Sequence, residues 1–142
     1  MQIKVRKLVD DLKEIEQAHD GEWYDLRCAV TIHLKAGELR YIPLGVAIEL
    51  PEGYEAIMAP RSSTAKKFGL LQANSIGVID HSYCGNNDEW QFPAFVIRDT
   101  TIYKNDRICQ FRIQKVQPDA TIVYVDDLKN NDRGGLGSTG IK

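Results

Sequence analysis

The chain has 142 residues, 43% hydrophobic and 27% charged, with 11 Gly and 5 Pro, which is the composition of one folded domain and excludes a disordered, collagenous or repeat sequence. A formal charge of −2 excludes a nucleic-acid coat or a polybasic membrane surface, both of which need many uncompensated cations. No run approaches the ~20 apolar residues of a membrane span, and the charged opening MQIKVRKLVDD lacks the apolar centre of a signal peptide, so a cytoplasmic location is expected.

In chain order, residues 10–18 (DDLKEIEQA) follow an Asp cap, and Leu8, Leu12 and Ile15 fall at helical spacing, which predicts one short amphipathic helix. The period then changes to two. Across DLRCAVTIHLK, apolar Leu26, Cys28, Val30, Ile32 and Leu34 alternate with mostly polar neighbours, the pattern of a half-buried strand. Further strand-like runs stand at YIPLGVAIEL, YEAIMA, NSIGVI, FPAFVI, DRICQFRIQKV and TIVYV, separated by turn-rich PEGY, GNNDE, RDTTIYKND and QPDA. Many short strands with frequent turns predict an all-β sandwich, jelly roll or barrel. PRSSTAKKFGL interrupts this rhythm as a one- to two-turn helix with Gly69 as its stop. The tail NNDRGGLGSTGIK, rich in glycine and nearly devoid of packing residues, is expected to be mobile until something orders it. Cys28, Cys84 and Cys109 form no C-x-x-C and stand beside no His pair, so neither a disulfide framework nor a zinc site is expected.

Four groups of residues carry chemistry. Arg61 with Ser62, Ser63 and Thr64 at a helix start offers a guanidinium fork, hydroxyls and free N–H groups to a phosphate, or else is a plain N-cap beside a surface Arg. The tail's GGLGSTG is either a disordered terminus or a backbone wrap for a phosphate, with Ser138 and Thr139 supplying hydroxyls. In NSIGVIDHSYCG, Asp80 and Tyr83 end an apolar run, which suits activation of a water beside a flat ligand or merely serves a hairpin turn. Asp25 is a buried organiser of its loop or a second active carboxylate. Trp90 and Phe92 are core aromatics by default, with a base-stacking platform as the alternative.

Taken together and in order, YDLR, PRSSTAKKFGL, NSIGVIDHSYCG, NDRICQFRI and DRGGLGSTG resemble the five motifs of the homotrimeric dUTP diphosphatase (dUTPase) family, in the form found in Gram-positive bacteria and their phages. The resemblance covers nearly the whole chain. It implies an all-β jelly roll (β-clip) over residues 1–129 and a C-terminal lid over 130–142, assembled as a homotrimer with active sites at subunit interfaces. It further implies hydrolysis of dUTP to dUMP and pyrophosphate, with Mg²⁺ held by the triphosphate and water and no direct protein ligands. Asp80 then matches the base that activates water. Asn74, Gly77 and Ile79 match the hairpin that reads uracil, and Tyr83 the ring that excludes a ribose 2′-hydroxyl. Arg61, Ser62, Ser63, Gln110 and Arg133 match phosphate contacts, Gly137, Ser138 and Thr139 the closing tail, and Asp25 a supporting residue. A phage source would add a regulatory protein partner. The tail departs from the common R-G-x-G-G-F-G-S-T-G pattern: it is shorter between Arg133 and GSTG, and Leu136 stands at the aromatic position. Capping of the base therefore falls to Leu136, Trp90 or Phe92.

Overall fold

Short alternating segments become antiparallel ladders in the computed structural model, which describes residues 1–142. The elements are β1 (Lys4–Lys7), β2 (Glu16–Gln17), β3 (Tyr24–Arg27), β4 (Ile32–Leu34), β5 (Leu39–Pro43), β6 (Val46–Glu49), β7 (Tyr54–Pro60), α1 (Thr64–Phe68), β8 (Leu70–Gln72), β9 (Gly77–Ile79), β10 (Gln91–Val96), β11 (Thr100–Ile102) and β12 (Arg107–Lys115). A five-stranded sheet runs β2-β3-β12-β7-β9, a three-stranded one β5-β10-β8, and β1-β6 and β11-β4 are two-stranded. β12 is the spine. It pairs with β3 on one side and β7 on the other, with a bulge between Arg107 and Cys109 that re-aims the side chains at its start.

The core lies between these sheets. Phe111 on β12 meets Trp90 edge-on, with centroids 5.1 Å apart and planes at 79°, and Tyr24 at 5.4 Å. Leu26, Ile42, Leu44, Ile48, Leu70, Phe92, Val96, Ile102 and Ile108 are among the other fully buried side chains. The three thiols are free, with Cys28 and Cys109 buried and Cys84 exposed; burial pushes the Cys109 thiol well up.

Three sequence expectations are corrected. Residues 10–18 form no helix: Asp11 takes a left-handed φ of 61°, and Glu16–Gln17 pair with β3. The Asn105 side chain accepts from the N–H of Lys13 at 2.8 Å and donates to the carbonyl of Asp11 at 3.0 Å, while Leu12 is buried. A helix this short is marginal in isolation, so these tertiary bonds override its periodicity. The strand expected across 25–35 is broken at Cys28–Thr31. The N–H of Cys28 donates to Asp106 and that of Ala29 to Pro43, which sends the chain from the five-stranded sheet into the β4–β11 pair and leaves Val30 exposed. TIVYV is unpaired, with Ile122 81% and Tyr124 94% exposed, because β-propensity needs a partner strand to be realised. Strands also form where no alternation announces them, at β1, β8 and, inside RDTTIYKND, β11.

The helix at PRSSTAKKFGL is present, and its end is well determined. Gly69 has φ 64° and its N–H donates to Ala65. A Cβ there would come within 2.7 Å of Arg98, whose guanidinium donates to the carbonyls of Ala65 and Lys66.

Phe111→Ala is expected to cost about 3–5 kcal/mol, read as a lower unfolding midpoint in urea, because it removes the ring that both Trp90 and Tyr24 pack against.

Candidate functional site

One cleft of about 420 Å³ gathers Asn74, Gly77, Val78, Ile79, Asp80 and Tyr83 from the β8–β9 region, with Tyr41, Gln91 and Pro93 from the three-stranded sheet. Its geometry starts at the turn after β8. Ser75 adopts φ 62°, and the N–H of Ala73 donates to Pro93 at 2.8 Å, extending the β8–β10 pairing by one residue. β9 then pairs with β7, Gly77 facing Met58. A Cβ on Gly77 would lie 3.2 Å from Met58 Cε and 3.4 Å from Gln72 Nε2, so glycine permits this close approach. β9 ends its sheet, which leaves one backbone edge without a strand partner.

Asp80 follows directly. Its Oδ1 accepts from the Ser82 N–H at 2.8 Å, and the Tyr83 N–H donates back to the Asp80 carbonyl at 3.0 Å. The backbone hydrogen bond from Ser82, helped by the Ser82 side chain and by His81 nearby, holds the Asp80 carboxyl below the usual carboxylate range. The side chain is 68% exposed, so it is an ionised carboxylate open to water. The Tyr83 ring is tethered by its hydroxyl, which donates to the Glu89 carbonyl at 3.1 Å.

A second cluster is built around Asp25 on β3, which is 1% exposed. Arg107 Nη1 donates to its Oδ2 at 3.2 Å, and Arg61 Nε stands 3.0 Å from Oδ1, a charge contact whose N–H is not aligned on the oxygen. Arg61 Nη1 also donates to the Arg107 carbonyl at 3.2 Å, and Gln110 on β12, opposite Asp25, donates to Pro60. The loop is fixed by Thr64. Its hydroxyl accepts from the Arg61 N–H and donates to Ile108 O, both at 2.8 Å. Ser63 sits at the N-cap without a capping bond, and neither it nor Ser62 spends its hydroxyl elsewhere in the chain.

The sequence residues thus fall into three places. Asn74, Gly77, Ile79, Asp80 and Tyr83 share the cleft; Asp25, Arg61 and Gln110 share the arginine cluster, with Ser62 and Ser63 on its loop. Arg133, Leu136, Gly137, Ser138 and Thr139 lie on the exposed tail, folded as local turns with Gly137 at φ 91°. Trp90 and Phe92 are core aromatics, 1% and 0% exposed, as the default reading had them, and Trp90 also touches the wall of the cleft. Asp25 is buried and contacts Arg61 and Arg107, the surroundings expected of a loop organiser. Arg107 was missed, although it stands inside a quoted motif, and Thr64 spends its hydroxyl on Ile108 and the Arg61 N–H instead of offering it to a phosphate.

A family model described as dUTPase matches residues 18–140. The chain belongs to the dUTPase family. An SPbeta prophage-derived deoxyuridine 5′-triphosphate nucleotidohydrolase of Bacillus subtilis (strain 168) is 56% identical over 142 residues, spanning 100% of both chains. A deoxyuridine 5′-triphosphate nucleotidohydrolase of Thermobifida fusca is 37% identical over 150 residues, 99% of this chain and 79% of its own. Among solved structures, a Staphylococcus phage 80alpha dUTPase matches with a TM-score of 0.79 at 21% identity, over 96% of this chain and 98% of its own. The Streptococcus mutans dUTPase matches with a TM-score of 0.70 at 22% identity, over 84% and 100%. These two similarities speak for the fold, the jelly roll of dUTPases.

Two outcomes follow from the geometry of this dUTPase-family chain. Asp25→Ala leaves two guanidiniums facing each other and is expected to destabilise by about 3 kcal/mol, the low end for a broken buried pair because both arginines reach solvent, measured by denaturant unfolding. Ser82→Pro removes the N–H that favours ionised Asp80, so the Asp80 carboxyl, followed by NMR titration, is expected to move up toward the ordinary range. The contribution of that bond to stability is present above the unfolded carboxylate's range and is lost as pH falls through the lowered value.

Proposed function

We propose that the chain hydrolyses dUTP to dUMP and pyrophosphate. The observation that carries this is the cleft, where an ionised, water-exposed Asp80 stands beside a free β-strand edge and a tethered aromatic ring, in a chain 56% identical over its full length to a deoxyuridine 5′-triphosphate nucleotidohydrolase. Asp80 takes a proton from a water as its oxygen attacks the α-phosphorus in line. The bond to the bridging oxygen breaks, and pyrophosphate leaves with the electron pair. The open edge at Gly77–Ile79, with Asn74, offers donors and acceptors to uracil, and a cytosine amino group would meet a donor where the 4-oxo group finds its partner. The Tyr83 ring, packed beneath the sugar, leaves no room for a 2′-hydroxyl.

Arg61, Ser62, Ser63 and Gln110 bind phosphate oxygens, Arg61 through the Nη2 that Asp25 and Arg107 leave free. Mg²⁺ bound to the triphosphate would be held through these same phosphate-binding residues. When bound there, the ion supplies neutralisation of phosphate charge. Residues 130–142, with Arg133, Gly137, Ser138 and Thr139, close over the nucleotide, and Leu136 covers it from the tail.

Assembly as a homotrimer accounts for a second set of facts. The single chain exposes 10146 Å², against roughly 7,400 Å² for a compact monomer of this mass, and every residue from Gln114 to Lys142 is exposed. The cleft and the arginine cluster share no lining residue, which fits a site completed between subunits. No helix is long and apolar enough to cross a membrane.

Pyrophosphate release with Mg²⁺ is expected from dUTP and not from dCTP, dTTP or UTP. Release from none of them overturns the proposal, and ammonia from dCTP reassigns the chain to a deaminase. Asp80→Asn is expected to lower kcat by about 10²- to 10⁴-fold with dUTP binding retained, and light scattering is expected to give three times the chain's 16.1 kDa.

A further inference from the structure

The tail of this chain offers Leu136 where an aromatic would cover the base, Phe92 is sealed in the core, and Trp90, although it touches the cleft, is only 1% exposed. The cleft nevertheless contains a second tyrosine beside Tyr83. Tyr41 on β5 lines it, is 62% exposed and makes no side-chain hydrogen bond, whereas the Tyr83 hydroxyl is tied to Glu89. An exposed phenol with nothing bound to its hydroxyl gains nothing for the isolated fold, but a flat apolar face in a nucleotide cleft is what a pyrimidine ring stacks on.

The ladder places that ring. Tyr41 stands directly opposite Pro93, and the Pro93 carbonyl accepts from Ala73 on its other side. The Tyr41–Pro93 pair is therefore of the non-hydrogen-bonded kind, in which facing side chains stand closest. Pro93 also lines the cleft, and its rigid ring backs that wall with no donor or acceptor on its side chain. β9, with its open edge lining the same cleft, belongs to the other sheet. One sheet thus supplies hydrogen-bonding groups and the other an aromatic face.

We propose that Tyr41 is the platform on which the pyrimidine of the nucleotide stacks, taking the place of a tail aromatic. The proposal rests on the reading of the site as one for dUTP. Stacking on the base is made equally in the ground and transition states, so it acts on binding and not on the chemical step.

The test compares the full-length protein with Tyr41→Ala and Tyr41→Phe. The expected result is a KM for dUTP raised on the order of tenfold in Tyr41→Ala with kcat within about twofold, and restored in Tyr41→Phe, which keeps the ring. Calorimetry with dUMP and with inorganic pyrophosphate as probes is expected to show the same loss for dUMP and none for pyrophosphate. Dependence of dUMP binding on Tyr41 supports the platform even without turnover. An unchanged KM in an active Tyr41→Ala overturns the platform alone, as does equal weakening of both probes or a Tyr41→Phe as impaired as Tyr41→Ala. A wild-type protein that neither hydrolyses dUTP nor binds dUMP overturns both readings.

Discussion

The buried carboxylate of Asp25 holds Arg61 and Arg107 in one arrangement, and through them it ties β3, the start of β12 and the loop after β7. A single ionised oxygen pair in the interior needs positive partners; here they come from two segments far apart in sequence, one of which carries Ser62 and Ser63. The loop's position is thus set by electrostatics from within the sheet, and Thr64 adds a neutral anchor to Ile108. The bulge between Arg107 and Cys109 contributes by bringing Arg107 toward Asp25 just before regular pairing begins.

The cleft depends on a different constraint, the end of a sheet. β9 is short and unpaired on one side, and such edges are ordinarily blunted because they attract other strands. In this chain the edge forms part of a concave site beside a carboxylate that its own turn keeps ionised. The same turn that lowers the Asp80 pKa also brings Tyr83 back toward the cleft, so ionisation and ring placement come from one local geometry. Exposure matters equally. A carboxylate sealed from solvent would be pushed toward its neutral form, and this one stays open to water.

Much of the site was readable before the fold. The hydroxyl run after Arg61, the Asp and Tyr closing an apolar run, and the Gly-rich tail all carry a local chemical signature that survives without coordinates. The Gly69 stop was readable for the same reason, since a left-handed helix terminus is a property of one residue. Arg107 was not singled out, because its role arises from a partner 82 residues away and no local pattern marks it. Thr64 stood in the hydroxyl run, but its bond to Ile108, 44 residues away, left no trace there. Tyr41 is similar: in sequence it is one aromatic in an apolar run, and only the Pro93 register turns it toward the cleft.

The sequence by itself determined the all-β class, the short helix and its glycine end, and the motifs that place the chain in its family, because alternation, capping and turn chemistry act over a few residues. Tertiary structure alone decided that residues 10–18 abandon a helical period, since Asn105 claims the backbone of that segment, and that residues 25–35 split between two sheets. It also decided which aromatics remain available to a ligand. Ring burial depends on what packs from across the core, and the letters of Trp90, Phe92 and Tyr41 carry no record of their neighbours.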